Sequence, residues 1–342
     1  MPPLDEFGLI RVWTEGRQTE AFLVSAGVSV GIGDDAAVVS AASGSEWLFA
    51  VDTMVEEVHF KPETMDDADI GYKALAANVS DIAAMGGVPK HALVSVSVPP
   101  GWSAGRMERL YEGLYACAEQ YGIAVIGGDT TSAPEHLVVA VTLIGCVEAG
   151  GAVRRSGARP DQFVFLTGAT GLSAGGLYGM LAQGDAVTGA ARVPMPPKRL
   201  IDAHRRPQPS VMAGRLLQGF ASSLNDVSDG LAGEAWEIAE ASGARLVLRE
   251  TELPISGELA GYAGLCGVST LEWMLYGGED YVLLGTADRE HEADLRRKFR
   301  EERLPFFVIG FVEEGAPGVE MAMANGKRKP LLKRGYNHFA KG

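Results

Sequence analysis

The stretch "IGYKALAANVSDIAAMGG", residues 70–87, decides how the first half of the chain folds. Its large apolar side chains recur at helical spacing and are Ile70, Leu75, Val79 and Ile82. Asp66 or Asp67 stands where a helix cap is expected, and Gly86 with Gly87 ends the pattern. The sequence therefore predicts one amphipathic helix between these acids and the glycine pair.

Asp81 is an unusual residue within this predicted helix. Its neighbours are small or apolar, and an unpaired carboxylate is costly to bury. One candidate partner is Lys73, which lies eight residues earlier on the same face. The other candidate is a metal ion. The helix sequence leaves these two alternatives equal.

Strand-like apolar runs lie on both sides of the helix. In the first half they are residues 36–39, 46–51, 91–98, 123–126 and 136–147, with a second helix predicted over 103–122. In the second half "FVFLTG" (163–168) begins another alternation, with helices predicted near 172–183, 208–220, 230–242 and 288–301. The segment 148–162, rich in glycine and charge, is predicted as a linker. These patterns, in 342 residues, predict a mixed α/β fold with two domains, residues 1–148 and 149–342.

The composition argues against several classes of function. Lys plus Arg number 30 against 44 Asp plus Glu, and the net charge of −14 disfavours a nucleic-acid surface. The longest apolar run is about half of the ~20 residues that a membrane span needs, and the N-terminus lacks a signal-peptide pattern. Three widely spaced cysteines favour free thiols. We therefore expect a cytoplasmic protein that binds neither nucleic acid nor membrane.

Acid-bearing glycine turns recur four times at or after apolar runs. They are "GIGDD" (31–35), "IGGDTT" (126–131), "DVSDGL" (226–231) and "YGGEDY" (276–281). Two further acids fit the series, Asp52 at the end of "LFAVD" and Asp81 on the helix. Carboxylate oxygens are the ligands that hard divalent cations such as magnesium prefer. The series thus predicts a magnesium site, on the condition that the fold brings these turns together.

The first turn also matches the dinucleotide pattern Gly-x-Gly-x-x-Ala. Its two middle acids, Asp34 and Asp35, would repel a pyrophosphate unless a cation lay between them. With magnesium present, Gly31 and Gly33 let a metal and phosphate approach the backbone. Ordinary turn or capping roles for the two acids remain the alternative.

The other candidate residues also have simpler interpretations. Ser228 or Asp229 can cap the helix that follows. Glu279 and Asp280 can belong to a solvated turn rather than a ligand contact. Arg154 and Arg155 form a compact basic spot that suits either phosphate or an interdomain salt bridge, and His59 can bind phosphate or simply lie on a strand. Phosphate-loop and protein-kinase motifs are absent, so any nucleotide is expected to bind through metals.

Taken in order, these motifs resemble those of a known family. The motifs are "GIGDDAAV", "VDTMVEEVHF", "IGYKALAANVSDIAAMGG", "IGGDTTSA", "RRSGARP", "DVSDGL", "GGEDY" and "RGYNHF". Together they are similar to those of the thiamine-monophosphate kinases, in the aminoimidazole ribonucleotide synthetase-like (PurM-like) superfamily. The resemblance implies transfer of a phosphoryl group from ATP to thiamine monophosphate with several Mg²⁺ ions. It also implies a homodimer joined through the N-terminal α/β domains.

The resemblance also implies roles for individual residues. Magnesium ligands are implied at Asp35, Asp52, Asp81, Asp129, Asp226 and Asp229. ATP contacts are implied at Tyr111, Gly128, Asp129, Arg155 and Ser228. Contacts to thiamine monophosphate are implied at His59, Glu279 and Tyr336, and no side chain is implied as a general base.

Some positions depart from the family pattern. Glu57 replaces a usual Gly, Ser132 a frequent Arg, and Tyr336 a frequent Trp. Ala50 and Val51 stand where Ser or Thr is common. The alternatives that stay open are another enzyme of the superfamily such as selenophosphate synthetase, a metal-dependent phosphate-ester hydrolase, and a non-catalytic cation-binding or nucleotide-binding module.

Overall fold

The computed structural model describes residues 19–25, 28–30, 33–40, 44–184 and 193–334. The helices are α1 (Glu20–Ser25), α2 (Asp67–Ala84), α3 (Ala104–Tyr121), α4 (Leu172–Gly184), α5 (Lys198–Arg205), α6 (Val211–Leu217), α7 (Leu231–Ser242), α8 (Gly257–Cys266), α9 (Thr270–Tyr276) and α10 (Glu292–Glu301). The strands are β1 (Val28–Val30), β2 (Ala37–Ser40), β3 (Ser45–Val55), β4 (Val88–Val98), β5 (Ala124–Ser132), β6 (Val138–Glu148), β7 (Phe163–Leu166), β8 (Ala221–Asp226), β9 (Arg245–Arg249), β10 (Leu283–Ala287), β11 (Phe307–Glu313), β12 (Gly318–Ala322) and β13 (Arg328–Pro330). Short 3₁₀ turns lie at Glu250–Glu252 and Arg289–His291.

The first sheet has six strands in the order β1-β2-β3-β6-β4-β5. Neighbouring strands are antiparallel except β4 and β5, which are parallel. Helix α2 packs against this sheet, and α3 packs on α2. The two helices approach closely at glycines: a Cβ at Gly71 would lie 1.8 Å from the Leu110 carbonyl oxygen, and one at Gly113 would lie 1.7 Å from that of Ala68. Any side chain at either position would push the helices apart.

The second sheet has seven strands in the order β13-β12-β9-β11-β7-β10-β8, of which only β9 and β12 pair in parallel. One of its faces carries a core that includes α7. On the other side, Phe165 and Leu224 share a core with Ala83 and Ala84 of α2. The C-terminal end of α2 is therefore packed between the two sheets, which places Asp81 at their junction.

Most elements predicted from periodicity are confirmed, with end shifts of a few residues. Asp66 caps α2 by accepting a hydrogen bond from the Asp69 N–H at 2.8 Å, and Ser103 caps α3. The helix predicted over 208–220 is shorter than expected. Four helices were not predicted, namely α1, α5, α8 and α9. The sequence of α8, "GELAGYAGLC", carries three glycines, which weaken its helical pattern.

Residues 149–162, which connect the sheets, contain no helix or strand. The division into residues 1–148 and 149–342 remains a prediction. Within the parts of the chain that the structure covers, no helix combines the length and apolarity needed to cross a membrane.

Candidate active site

Three carboxylates meet at the junction of the sheets, and we call Asp35, Asp81 and Asp226 the acid cluster. Each offers one oxygen, and these oxygens all lie within 4.8 Å of one another. The three side chains come from the turn before β2, the last turn of α2 and the end of β8. Three oxygen ligands converging from three elements form a suitable arrangement for a hard divalent cation.

Local contacts hold each member of the cluster. Asp226 accepts a hydrogen bond from the Ser80 hydroxyl at 2.6 Å, so the residue beside Asp81 ties α2 to β8. The Asp35 side chain is only 1% exposed, and its Oδ2 has no hydrogen-bond partner among the described residues. The neighbouring Asp34 accepts hydrogen bonds from the backbone N–H groups of Asp35 and Arg155, at 3.0 and 3.3 Å. Asp34 thus shapes the turn, while Asp35 keeps a buried oxygen available.

The electrostatics of the acid cluster favour a bound cation. Burial, together with Asp52 and Asp226, raises the pKa of Asp81 well above its ordinary value. Burial, with Asp35 nearby, likewise raises the pKa of Asp226 well above its ordinary value and that of Asp52 to about 6. When these acids are ionised, the one guanidinium that contacts the cluster does not balance them, and a divalent cation would offset the remaining negative charge. These residues therefore fit magnesium.

The guanidinium that contacts the acid cluster belongs to Arg155. It forms an ion pair with Asp35, and its Nε donates to Asn225 Oδ1 at 3.1 Å. Although burial works against its charge, Asp35 and Glu234 raise the pKa of Arg155 above its ordinary value. Arg155 thus connects the turn before β2 in the first sheet to β8 in the second sheet, and it lies beside the predicted metal ligands.

Glu234 is a member of this site that the sequence reasoning missed. It is buried and accepts hydrogen bonds from Asn225 Nδ2 at 2.6 Å, Ser228 Oγ at 3.2 Å and the Asp229 N–H at 2.9 Å. Burial, followed by Asp229, raises its pKa to about 8. The prediction that Ser228 or Asp229 caps α7 is wrong, because the N-cap is Gly230 with a φ of 103°. Glu in the first helical turn was the available signal.

The simpler interpretation of Glu279 and Asp280 as a solvated turn does not hold. Glu279 Oε1 lies 2.6 Å from Lys73 Nζ, and its Oε2 lies 3.2 Å from His204 Nδ1. Burial acts against the charge of Glu279, but Lys73 and His204 hold its pKa far below the ordinary range. Asp280 accepts hydrogen bonds from the backbone at the start of α4, including the Ser173 N–H at 3.2 Å. Lys73 is therefore the partner of Glu279, which rules out the alternative that Lys73 pairs with Asp81.

Two further predicted residues lie on or just after β3. The Asp52 N–H donates to Asn78 Oδ1 of α2 at 3.1 Å, so this part of β3 is tied to the helix side of the sheet. His59 lies in the turn that follows, where its Nδ1 accepts the Val55 N–H at 3.0 Å. That bond leaves Nε2 as the protonated nitrogen of a neutral ring.

Gly128 and Asp129 are not brought to the acid cluster within one chain. Across the strands β3, β6, β4 and β5, Asp52 pairs with Val141, Val141 with Val94, and Val94 with Gly128. Three strand spacings of about 4.8 Å separate the ends of this row by roughly 14 Å. Asp129 is exposed on the edge strand β5. Tyr111 is half-buried on α3, with its ring 6.4 Å from that of Tyr115, and Gly31 and Tyr336 lie outside the described residues.

Comparison with known proteins identifies the chain's relatives. Residues 33–147 match the N-terminal domain of AIR synthase related protein, and residues 159–321 match its C-terminal domain. The thiamine-monophosphate kinase of Bacillus subtilis (strain 168) is 43% identical over 337 residues, covering 98% of this chain and 100% of that protein. The chain belongs to the thiamine-monophosphate kinase family. The resemblance seen in the motifs and the mixed α/β, two-domain fold are thereby confirmed.

Other members of the thiamine-monophosphate kinase family support this relationship. The protein from Aquifex aeolicus (strain VF5) is 33% identical over 98% of each chain. A solved structure, AaThiL complexed with AMPPCP and TMP, matches with a TM-score of 0.81 at 33% identity and covers 98% of this chain and 97% of that one. HypE, a hydrogenase maturation protein from E. coli, matches at 18% identity with a TM-score of 0.68, which indicates a shared fold alone.

Proposed function

We propose that this protein transfers the γ-phosphoryl group of ATP to the phosphate of thiamine monophosphate, which gives thiamine diphosphate and ADP. The observation that carries the proposal is the acid cluster, in a chain that aligns end to end with thiamine-monophosphate kinases. Two negatively charged phosphates must meet for in-line transfer, and a site of converging buried acids can hold the cations that permit this.

Asp35, Asp81 and Asp226 would hold magnesium, and Asp52, Asp129 and Asp229 are proposed as further ligands. Bound magnesium neutralises phosphate charge and stabilises the charge that develops during transfer. Arg155 is proposed to orient a phosphate of ATP, because its planar guanidinium matches phosphate oxygens. No side chain is needed to deprotonate the acceptor, since a phosphate monoester has a second pKa of about 6 and is ionised at neutral pH.

The remaining residues are proposed to bind the organic parts of the substrates. Tyr111, Gly128 and Ser228 are proposed for ATP. The proposed contacts to thiamine monophosphate are His59, Glu279 and Tyr336. For Glu279 the support is a charged carboxylate whose side chain stays 27% exposed at the junction of the sheets.

We further propose a homodimer joined through the open face of the first sheet. This face carries large exposed apolar side chains, namely Trp47, Phe49, Val51 and Leu93. Asp129 pairs with Ser95, which alternates with the buried Val94 and Val96 and so lies on the same open face. Because Asp129 cannot reach its own chain's cluster, a second copy packed on this face is proposed to bring in its β5.

The dimer has its own test. Val51 is 64% exposed, and an acid there would place a charge in the apolar interface. Val51→Asp is expected to yield monomers and to lower turnover in parallel, whereas Val24→Asp, at another exposed apolar site, should change neither. Light scattering and steady-state kinetics on the same samples measure both. A monomeric wild-type protein with full activity would refute the proposed dimer.

The proposed activity is tested by incubating the purified chain with ATP, Mg²⁺ and thiamine monophosphate. Thiamine diphosphate together with ADP supports the kinase. Thiamine with free phosphate indicates a hydrolase instead, and binding without turnover indicates a non-catalytic module. The three cysteines are unpaired in the structure, which is consistent with the reducing cytoplasm that we propose as its location.

A further inference from the structure

A buried network of polar side chains surrounds Glu279 at the junction of the two sheets, and two of its members, Lys73 and His204, have no role in the proposed chemistry. Lys73, on α2, is 1% exposed and contacts Glu279 Oε1 at 2.6 Å. His204, at the end of α5, is equally buried, and its Nδ1 lies 3.2 Å from Glu279 Oε2 and 3.1 Å from Ser173 Oγ. Both oxygens of Glu279 therefore have a fixed partner, one from each side of the junction.

The backbone around Glu279 is held in a conformation that other interactions must maintain. Glu279 has a φ of 64° and Tyr281 a φ of 51°, in the left-handed region that side chains other than glycine rarely adopt. The Glu279 N–H donates to the Ser228 carbonyl at 2.6 Å, and Asp280 anchors the segment to α4. Paired non-glycine residues in this region are typical of functional sites, where a side chain must point in one direction.

Helix α2 connects this network to the acid cluster. Lys73 and Asp81 are eight residues apart on α2, which separates them by about 12 Å along the axis at about 1.5 Å per residue. A continuous helix is stiff over this length. One rigid element thus holds both a predicted metal ligand and the partner of the predicted substrate carboxylate.

We propose that Lys73 and His204 are positioning residues that hold the Glu279 carboxylate in the orientation in which it contacts the heterocyclic part of thiamine monophosphate. This inference rests on the proposed function. Lys73 would act through Glu279 rather than by touching substrate, and α2 would fix the distance between the substrate carboxylate and the metal site. Loss of Lys73 should then weaken binding of thiamine monophosphate much more than binding of ATP.

The wild-type protein must first form thiamine diphosphate, and failure there refutes the proposed function rather than this inference. Given turnover, Lys73→Met is expected to raise the KM for thiamine monophosphate about 10-fold or more and that for ATP by less than about threefold. Lys198→Met, at a lysine that is 86% exposed and also ion-paired, is the matched control and should change neither KM. A Lys73→Met enzyme with both KM values within about twofold of wild type would overturn the inference.

A double-mutant cycle separates positioning from general support of the fold. In a Glu279→Gln background, adding Lys73→Met is expected to change the KM for thiamine monophosphate by less than about twofold, because the group that Lys73 positions is already altered. The double variant leaves no unpaired buried charge, so it serves even where Lys73→Met alone does not fold. A further rise of about 10-fold in that background would refute action through Glu279.

His204 offers a rescue test of the same inference. His204→Asn keeps an N–H donor near the position of Nδ1 and is expected to hold the KM for thiamine monophosphate within about threefold of wild type. His204→Ala removes the donor and is expected to raise that KM about 10-fold. Equal KM values for the two variants would contradict a positioning role for His204.

Discussion

The acids at the two ends of helix α2 differ in whether they have positively charged partners. At the N-terminal end, Asp67 accepts hydrogen bonds from Arg106 and Arg109, and Asp69 pairs with Arg206 at 2.6 Å. At the C-terminal end, Asp81 faces other acids, and the described residues give it no arginine or lysine of its own. The helix dipole widens the contrast, because it favours negative charge at the N-terminus and disfavours it at the C-terminus.

The pKa shifts at the two ends differ in sign for this reason. Burial alone would raise the pKa of Asp67, but the hydrogen bonds from its two arginines reverse this and hold the pKa below its ordinary value. The pKa of Asp81 is raised by burial and by Asp52, and the smaller opposing effect of Arg155 does not reverse this rise. A buried acid that the fold pairs is part of the architecture, whereas one that the fold leaves uncompensated indicates a cation from outside.

The largest expected effect is on kcat, and it is tested by replacing one acid at each end of α2 with asparagine. Asp81→Asn is expected to lower kcat by about 10³-fold, because it removes a ligand of the metal that holds the phosphates. Asp67→Asn is expected to leave kcat within about threefold, because Asp67 supports only the fold. Steady-state kinetics at saturating magnesium measure both. If the Asp81→Asn enzyme kept kcat within about tenfold of wild type, the contrast between the two ends would fail.

The neighbouring acids before β2 supply a matched control for that test. Asp35→Asn is expected to behave like Asp81→Asn, since its buried Oδ2 is available to a metal. Asp34→Asn should cause a milder loss, because the Asp34 carboxylate accepts backbone N–H groups and an amide oxygen can still do so. Equal losses for the two variants would indicate that the turn, rather than a metal ligand, accounts for the effect.

The next effect in size is on stability: bound magnesium should raise the free energy of unfolding. Ligand that binds only the folded state at 100 times its Kd adds about 2.7 kcal/mol to the free energy of unfolding. We expect a rise of this size for the wild type and for Asp67→Asn, and no rise for Asp81→Asn. Urea unfolding with magnesium, compared with potassium chloride at equal ionic strength, measures it. A gain that persists in Asp81→Asn would assign the cation to another site.

Local patterns in the sequence were sufficient to predict α2 and a cap at Asp66 or Asp67, of which the structure has Asp66, because helical periodicity and capping depend on neighbouring residues. They also picked out Asp81 and the acid-bearing turns that contain Asp35 and Asp226, since acids beside glycine turns or within apolar runs are visible without a fold, whereas the choice of Asp35 over Asp34 came from the family resemblance. Partners far apart in the chain could not be assigned in this way.

The pairing of Lys73 with Glu279 is an example of a contact between residues that are far apart in the chain. It depends on how the second sheet docks on α2, and no local pattern encodes that contact. The position of Asp129 likewise depends on strand order, because the crossover that makes β5 an edge strand separates it from the acid cluster. Glu234 was visible only as an acid in a first helical turn, a common feature.

A smaller effect, on stability, is expected at the N-terminal end. Asp67→Asn should lower the free energy of unfolding by about 2 kcal/mol at pH 7, because two arginines lose a charged acceptor. The folded-state pKa of Asp67 lies below the unfolded value of 3.8, so this contribution is complete above about pH 5 and is lost as the pH falls through the folded-state pKa. Urea unfolding at several pH values should show the two proteins converging in acid. A difference that stays constant down to pH 3 would contradict an ionic origin.

The smallest effect is expected from an acid that is paired but exposed. Glu292 lies 2.8 Å from Arg296 on the surface of α10, where water screens both charges. Glu292→Gln should lower the free energy of unfolding by about 0.5 kcal/mol or less, measured by urea unfolding beside Asp67→Asn. Both acids pair with arginine near a helix N-terminus, but Asp67 is buried and has two arginine partners, whereas Glu292 is exposed and has one. If Glu292→Gln lowered the free energy of unfolding as much as Asp67→Asn, pairing with arginine alone would determine the loss of stability. Burial would then not explain why Asp81, which lacks such a partner among the described residues, requires a cation.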